Sequence, residues 1–357
     1  MQNLRILLAI CFIFIIGSCD TDFELNSDWE EIAVIYSILD QSQERQYVRV
    51  GKAFLGEGDA FEMAAEADSI NFENATVELN SYSNENLVEN IELTKVDATT
   101  TDLHPDKEEG IFANEPYILY HTDEELNENY TYEIVVTTDQ DQEIKTETNL
   151  VSDFVLLDPQ EGTDINLLSY NRPVKWKKAG NAGIYGLDIN FTYREEANND
   201  PNDFEIKTVV YPLFSNFKDE NSLDEVLEFD FDPDAMLTYI AGTIGEEGSE
   251  NFKRLFQSLT YTYYAGNDEL TKYFDVATSN STGVGSSGQA KPIYTNIGTD
   301  IDGNKDEEIV AKGLFAARFQ KTIEVDLSPT SLDKLICGDI TKNLRFVYNS
   351  DQAVDCN

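Results

Sequence analysis

The sequence predicts a mainly β protein made of two immunoglobulin- or fibronectin-like β-sandwich domains with short helical insertions. Three observations predict it. Short runs of β-branched and aromatic residues recur along the chain, and some alternate strictly, as in Tyr130-Thr-Tyr132-Glu-Ile134-Val-Val136. That period of two marks a half-buried antiparallel strand. Polar turn-forming clusters separate the runs at short spacing. The chain has 357 residues, 41% of them hydrophobic, which is enough material for two cores.

Taken in order, Ile32 to Leu39 and Gln46 to Phe54 flank the polar segment Asp40 to Arg45 and predict a hairpin. Asp59 to Ala67 is rich in Ala and Glu behind an Asp able to cap it, predicting one short helix. Strands are expected at Thr76–Ser81, Ile91–Val96, Tyr117–His121, Tyr130–Thr138 and Glu143–Leu150. A boundary near residue 152 is marked by Asp153, Asp158 and Pro159, which separates domains at 31–152 and 153–357. Beyond it, Val174–Trp176, Gly186–Tyr193 and Phe204–Leu213 read as strands. Trp176 followed by Ile184-Tyr185-Gly-Leu187 resembles fibronectin-type strand pairs, in which a Trp fills the space between sheets. Asp234–Ile244 and Glu250–Phe256 have helix composition. Ser258–Tyr264, a turn at 265–268 and Leu270–Val276 read as a second hairpin, and Gly313–Val325 and Leu344–Tyr348 as the last strands.

The amino terminus carries Arg5, an eleven-residue apolar run from Ile6 to Ile16, then Gly17-Ser18-Cys19. Eleven residues make about 16 Å of helix, half a bilayer core, so the run reads as a secretory signal (1–18) and not as a span. Ile16-Gly17-Ser18-Cys19 resembles a bacterial lipobox, which implies a lipid anchor on Cys19. An acidic tether (19–30) follows, whose Asp20-Thr-Asp22-Phe-Glu24 opening resembles the surface-export signal of Bacteroidota lipoproteins. The expected place is the outer membrane, at the cell surface or on its periplasmic face. Of the four cysteines, Cys11 leaves with the signal and Cys19 carries lipid. Cys337 and Cys356 remain as an even pair, expected to form a disulfide, with a metal site as the alternative.

Acids number 68 against 25 bases, a formal charge of −43. A nucleic-acid or anionic-surface binder needs clustered positive charge, so nucleic acid is excluded as a partner.

Four strings, Tyr47-Val-Arg-Val-Gly-Lys-Ala-Phe-Leu-Gly-Glu-Gly58, Gly110-Ile-Phe-Ala113, Tyr294-Thr-Asn-Ile297 and Gly313-Leu-Phe-Ala-Ala-Arg318, resemble a Bacteroidota outer-membrane lipoprotein family with β-sandwich domains, a domain of unknown function. The resemblance covers nearly the whole mature chain and implies an accessory near TonB-dependent transporters, with no site residues to carry over. The link from Ile297 to Gly313 is long and acidic here, a departure from that pattern.

Candidate chemistry is sparse. His104 and His121 are the two histidines and lie outside any metal or nucleophile motif, so both are expected in exposed loops. Gly283-Val-Gly285-Ser-Ser-Gly288 matches a dinucleotide fingerprint by letter but has no strand before it or helix after it, and reads as a loop. Asp300, Asp302, Asn304, Asp306 and Glu308 place oxygen ligands at alternate positions, the best candidate for calcium, though Lys305 and Ala311 break the EF-hand template. Glu228-Phe-Asp230-Phe-Asp232-Pro-Asp234 reads as an amphipathic strand with a wet face. Trp29, Tyr261, Tyr263 and Tyr264 are candidates for stacking on a glycan, against the alternative of core packing. The expectation is a non-catalytic envelope lipoprotein that docks an outer-membrane barrel or helps capture its ligand. The alternative is a carbohydrate-binding or adhesive surface protein.

Overall fold

In β1 (Glu30–Asp40) and β2 (Gln46–Leu55) the first apolar runs form the expected antiparallel hairpin, with Ile35 opposite Val50. Asp40 sets the turn. Its carboxylate accepts from the Ser42 amide at 3.0 Å and from Arg318 Nε at 2.8 Å, while the Gln46 side chain bonds both the amide and the carbonyl of Asp40. Polar groups that would otherwise be stranded at the hairpin end thereby fix its register. The computed structural model describes residues 30–55, 59–101, 110–168, 172–198, 200–218, 225–246, 248–282, 293–306, 311–349 and 356. The leader, Cys19, Trp29, His104, the Gly283–Gly288 string and Glu308 lie outside the described residues.

After two short helices, α1 (Ala60–Ala64) and α2 (Ala67–Ile70), come β3 (Thr76–Ser83), β4 (Asn86–Glu92), β5 (Thr94–Asp97), β6 (Ile118–Thr122), β7 (Thr131–Thr137) and β8 (Glu143–Asn149). The order β4-β3-β7-β8 makes a four-stranded antiparallel sheet. Its alternation places Val77, Leu79, Ile134, Val136 and Ile144 in one core with Ile35, Leu39 and Val50 of the hairpin. The run expected as one strand over 91–96 is divided, because Leu93 turns inward and its amide bonds the Val77 carbonyl at 2.9 Å.

The second half adds β9 (Leu156–Asp158), β10 (Asp164–Ile165), β11 (Arg172–Lys177), β12 (Ile184–Ala197), β13 (Asp200–Phe217), β14 (Val226–Phe231), helix α3 (Pro233–Ile244), β15 (Phe252–Gly266), α4 (Asp268–Thr282), β16 (Ala311–Leu327) and α5 (Pro329–Cys337). The largest sheet runs β13-β12-β15-β16-β1-β2-β6-β5, with β10 beside β16, and β14-β11-β9 forms a three-stranded sheet. Trp176 of β11 is fully buried in a second core, stacked on Phe214 at 5.6 Å and tilted against Tyr185 and Tyr263, as the between-sheet Trp reading requires. In β14, Leu227 and Phe231 point inward while Glu228 and Asp230 face water.

The architecture is therefore mainly β and sandwich-like: one long sheet with two smaller sheets contributing to two large hydrophobic clusters, beside a small one of Leu270, Leu314 and Ala316. Both halves of the chain build the long sheet. β16 pairs in parallel with β1, Ala33 opposite Ala311 and Leu39 opposite Ala317. Along β16, Ala311, Phe315 and Ala317 enter the first core, and Ile323, Val325 and Leu327 enter the second. Gly313 lies within this seam at φ +125°, and a Cβ there would stand 1.8 Å from the Ile35 carbonyl oxygen.

Five further local expectations are corrected. Residues 250–256 form a 3-10 turn and the start of β15, not a helix, because Arg254 is drawn into cross-strand register with Glu195. Leu270–Val276 is helical within α4, since the Asn267 side chain accepts the Leu270 amide at 3.1 Å and Asp268 and Glu269 occupy the favoured first turn. Residues 344–348 are not a strand. They follow a 3-10 turn (Lys342–Leu344) and bond Arg254 through its backbone amide and carbonyl. The single helix over 59–67 is two, α1 being capped by Asp59, whose carboxylate accepts from the Phe61 amide. His121 lies in β6 with a mostly buried side chain and Nδ1 3.6 Å from Asp123, not in an exposed loop.

Candidate functional site

On β1, Ala33, Ile35 and Leu39 face the core, so Val34 and Tyr36 point to the other side of the sheet. There Val34 stands beside Gly51 and Tyr36 beside Arg49 of β2. Two lips rise over this strip. One is α1–α2, contributing Ala60, Phe61, Ala64 and Ile70, and Gly51 lets it approach: a Cβ at Gly51 would sit 3.0 Å from the Ile70 carbonyl oxygen. The other lip carries Ile111, Phe112 and Tyr117. The Ala113 amide bonds the Ala64 carbonyl at 2.8 Å and ties the lips together.

The result is an apolar groove of about 690 Å³, within the range of small-molecule sites. Its rim keeps large apolar side chains in water: Phe61 is 68% and Phe112 52% exposed. Asp97 anchors the second lip by accepting from the Tyr117 amide at 3.0 Å and from the Thr99 amide and hydroxyl. Burial pushes the Asp97 carboxyl up, but these hydrogen bonds outweigh it and hold the group below its usual range. Burial, reinforced by nearby Tyr273, raises the Tyr36 hydroxyl above its ordinary value.

Two cations are among the described residues that line the groove. Arg49 Nη1 donates to the Ile118 carbonyl at 2.9 Å, and its guanidinium lies 5.0 Å over the Tyr117 ring. Burial draws its pKa below the ordinary arginine value, with only the smaller influence of Tyr117 and Tyr120 opposing. Lys52 Nζ lies 5.3 Å over the Phe72 ring. None of the described lining residues is acidic. The arrangement has apolar walls and a desolvated positive end. Among the described lining residues, no nucleophile stands beside a base.

The predicted calcium loop lies elsewhere, beside β8 and the start of α4. A polar cavity of about 190 Å³ there is lined by Glu147, Asp268, Glu269, Lys272 and Asp300, among others. The Asp300 carboxylate is occupied within its own loop, accepting from the Asp302 amide at 3.0 Å and from the Asn304 amide and side chain at 2.8 Å each, and the Asn304 bonds foremost hold it below its usual range. Glu147 accepts the Ile301 amide at 2.9 Å. Asp302, Asn304 and Asp306 are exposed. Among the described residues, no group of three His, Cys, Asp or Glu side chains is placed to hold a metal.

Cys337, at the end of α5, and Cys356 are joined as a disulfide with Cα atoms 5.3 Å apart. Tyr261 and Tyr263 are packed in the second core, which removes them from any sugar platform. No described helix is long and apolar enough to cross a membrane.

The groove residues themselves were not singled out from sequence as a site. Part of the signal was present: two of the family-like strings supply Arg49, Gly51, Lys52, Ala53, Ile111 and Phe112 to one cavity. The other two strings meet as well, since Asn296 bonds both the amide and the carbonyl of Phe315.

No protein-family model matches this chain, and no curated protein matches it. Among solved structures, it is similar to the C-terminal globular domain of oligosaccharyltransferase from Pyrococcus abyssi at 12% identity and a TM-score of 0.25, covering 64% of this chain and 45% of that one. It is also similar to the calcium binding domain CBD12 of CALX1.1 at 10% identity and a TM-score of 0.18, covering 82% and 99%. Likenesses this slight carry no argument about activity or ligand.

Proposed function

We propose that this protein is a non-catalytic, lipid-anchored envelope protein that captures a small apolar ligand in the groove between β1–β2 and the α1–α2 lip. The carrying observation is the groove itself, a concave apolar surface with exposed aromatic rims. Anchoring through Cys19 at the outer membrane, with membership of a Bacteroidota lipoprotein family, gives the setting. An accessory to a barrel transporter would then act by collecting the transporter's ligand. Of the two accessory roles, ligand capture is better supported than rigid docking, because the apolar surface is concave and starts four residues into β1 at Val34. A glycan-binding role has less support, since Tyr261 and Tyr263 are core residues and the groove walls offer few hydrogen-bonding groups.

The test is displacement of a polarity-sensitive fluorophore from the full-length lipidated protein in mild detergent. Wild type is expected to bind the probe. Ala60→Trp, which fills the groove from an exposed position on α1, is expected to abolish binding with the melting profile unchanged. Equal probe binding by both proteins overturns the groove as the working surface. Palmitate labelling of wild type against Cys19→Ser tests the anchor.

A further inference from the structure

We propose that the ligand of this groove is a free single-chain amphiphilic anion, its oxyanion head paired with Arg49 and its hydrocarbon tail laid between Phe61 and Phe112. The inference rests on the reading of the groove as a binding site and adds the ligand's chemistry.

Charge distribution is the first argument. In a chain of 68 acids and 25 bases, the described lining of the groove contains Arg49 and Lys52 and no acid. Apolar walls strengthen the field of a charge held among them, and Arg49 is such a charge.

The state of Arg49 is the second. Arg45, Arg194, Arg254 and Arg318 each meet a carboxylate, on Asp123, Glu196, Glu195 and Asp40 respectively, and Arg345 donates to the Glu250 carbonyl. Arg49 is half-buried against neutral groups only, the Ile118 carbonyl and the Tyr117 ring, with no carboxylate in ion-pair range among the described residues. The Tyr117 ring and the hydrogen bond to Ile118 hold the guanidinium in place, and that single bond leaves further N–H donors of the fork for a bidentate partner. A planar carboxylate matches that fork. The remaining wall, from Ala60 and Phe61 to Ile111 and Phe112, offers no further ion partner and suits methylenes.

The experiment is competition against the same fluorophore with decanoate, decanol and decylammonium, on wild type, Arg49→Met and Arg49→Lys. Decanoate is expected to bind wild type about 10- to 100-fold tighter than decanol, the contribution of a charge-assisted hydrogen-bonded pair. Decylammonium should bind weakest. Each methylene that enters the groove should tighten binding about fourfold, seen by comparing octanoate with decanoate. Arg49→Met should erase the preference for decanoate over decanol, and Arg49→Lys should retain part of it. Equal affinity for decanoate and decanol on wild type, or tighter binding of decylammonium, overturns the anion assignment while leaving the groove reading in place. Failure of all three to displace the probe overturns both. The wild-type comparison needs no variant, so a folding defect at position 49 does not blunt the test.

Discussion

Replacing Arg254 with Met should be among the most damaging single changes in the second core, and its cost can be worked from four contacts. Arg254 is 4% and Glu195 8% exposed. Nε and Nη2 of the arginine reach Glu195 Oε2 at 2.8 and 2.7 Å, while Nη1 donates to Ser249 Oγ at 2.9 Å and to the Leu344 carbonyl at 2.6 Å. Removing one partner of a buried pair costs about 3–5 kcal/mol, because the charge left behind is uncompensated. Losing the Leu344 and Ser249 acceptor bonds pushes the figure up, and Lys207, which also holds Glu195, pulls it down. The expected loss is about 4 kcal/mol. Urea titration followed by tryptophan fluorescence measures it through Trp176, which sits in the same core. Arg254→Met with Glu195→Gln should recover about half the loss, because the stranded charge is gone. The effect is also pH-dependent. Burial opposes ionisation of Glu195, but bonds from Lys207 and Arg254 more than offset it and depress the carboxyl. A depressed acid stabilises the fold above its unfolded pKa, and that contribution disappears as pH falls through the lower folded value. The gap between wild type and Arg254→Met should therefore be full at pH 7 and close on acidification from about pH 4.5 downward. A loss below about 1 kcal/mol, or a double variant as costly as both singles added, refutes the reasoning.

Gly313→Ala should prevent accumulation of folded protein or cost more than about 4 kcal/mol, since its Cβ meets the Ile35 backbone, whereas Gly186→Ala, whose nearest neighbour would be 3.6 Å away, should cost under about 1 kcal/mol; equal denaturation midpoints for the two variants would contradict this. Tyr263→Phe should be neutral or up to about 1 kcal/mol stabilising in the same urea assay, because the Tyr263 hydroxyl is buried without a hydrogen-bond partner among the described residues. Cys356→Ser should lower stability by about 3 kcal/mol through the 19-residue separation it opens, and dithiothreitol should bring wild type to the same midpoint. An unchanged midpoint on reduction would show that the bridge is not closed in solution.

How far these features could be read in advance depended on the range of the forces behind them. The β1–β2 hairpin, the alternation in β7 and the Cys337–Cys356 pairing are local or arithmetic signals, and they were legible. Residues 250–256 were misread because Lys253-Arg254-Leu255 suits a helix by composition, and the pairing with β12, in which Glu195 lies opposite Arg254 fifty-nine positions away, decides otherwise. At 270–276 a single side chain, Asn267, capped a helix where the apolar spacing suggested a strand. The groove was legible only as fragments: Arg49 and Phe112 lay in strings that looked family-like, but their meeting depends on the Ala113–Ala64 hydrogen bond between lips far apart in sequence. Asp300 shows the opposite failure. Its spacing with Asp302 and Asn304 fits a cation loop, yet the same spacing suits an Asx-type turn in which backbone amides take the ligand's place.

The parallel seam between β1 and β16 has a consequence for how this chain is made. Asp40 and Arg318, which close it, are 278 positions apart. At ribosomal rates of about 5–20 residues per second, roughly 15 to 55 seconds pass between synthesis of the two strands. For that interval Ile35 and Leu39 have no Phe315 or Ala317 to pack against, and the first sandwich is an unfinished half-shell with a sticky strand edge. Loop closure over this span is slow, and the β1–β16 pairing cannot form until its last strand arrives. Premature termination anywhere before residue 311 should thus yield not a working amino-terminal module but a client for chaperones and proteases.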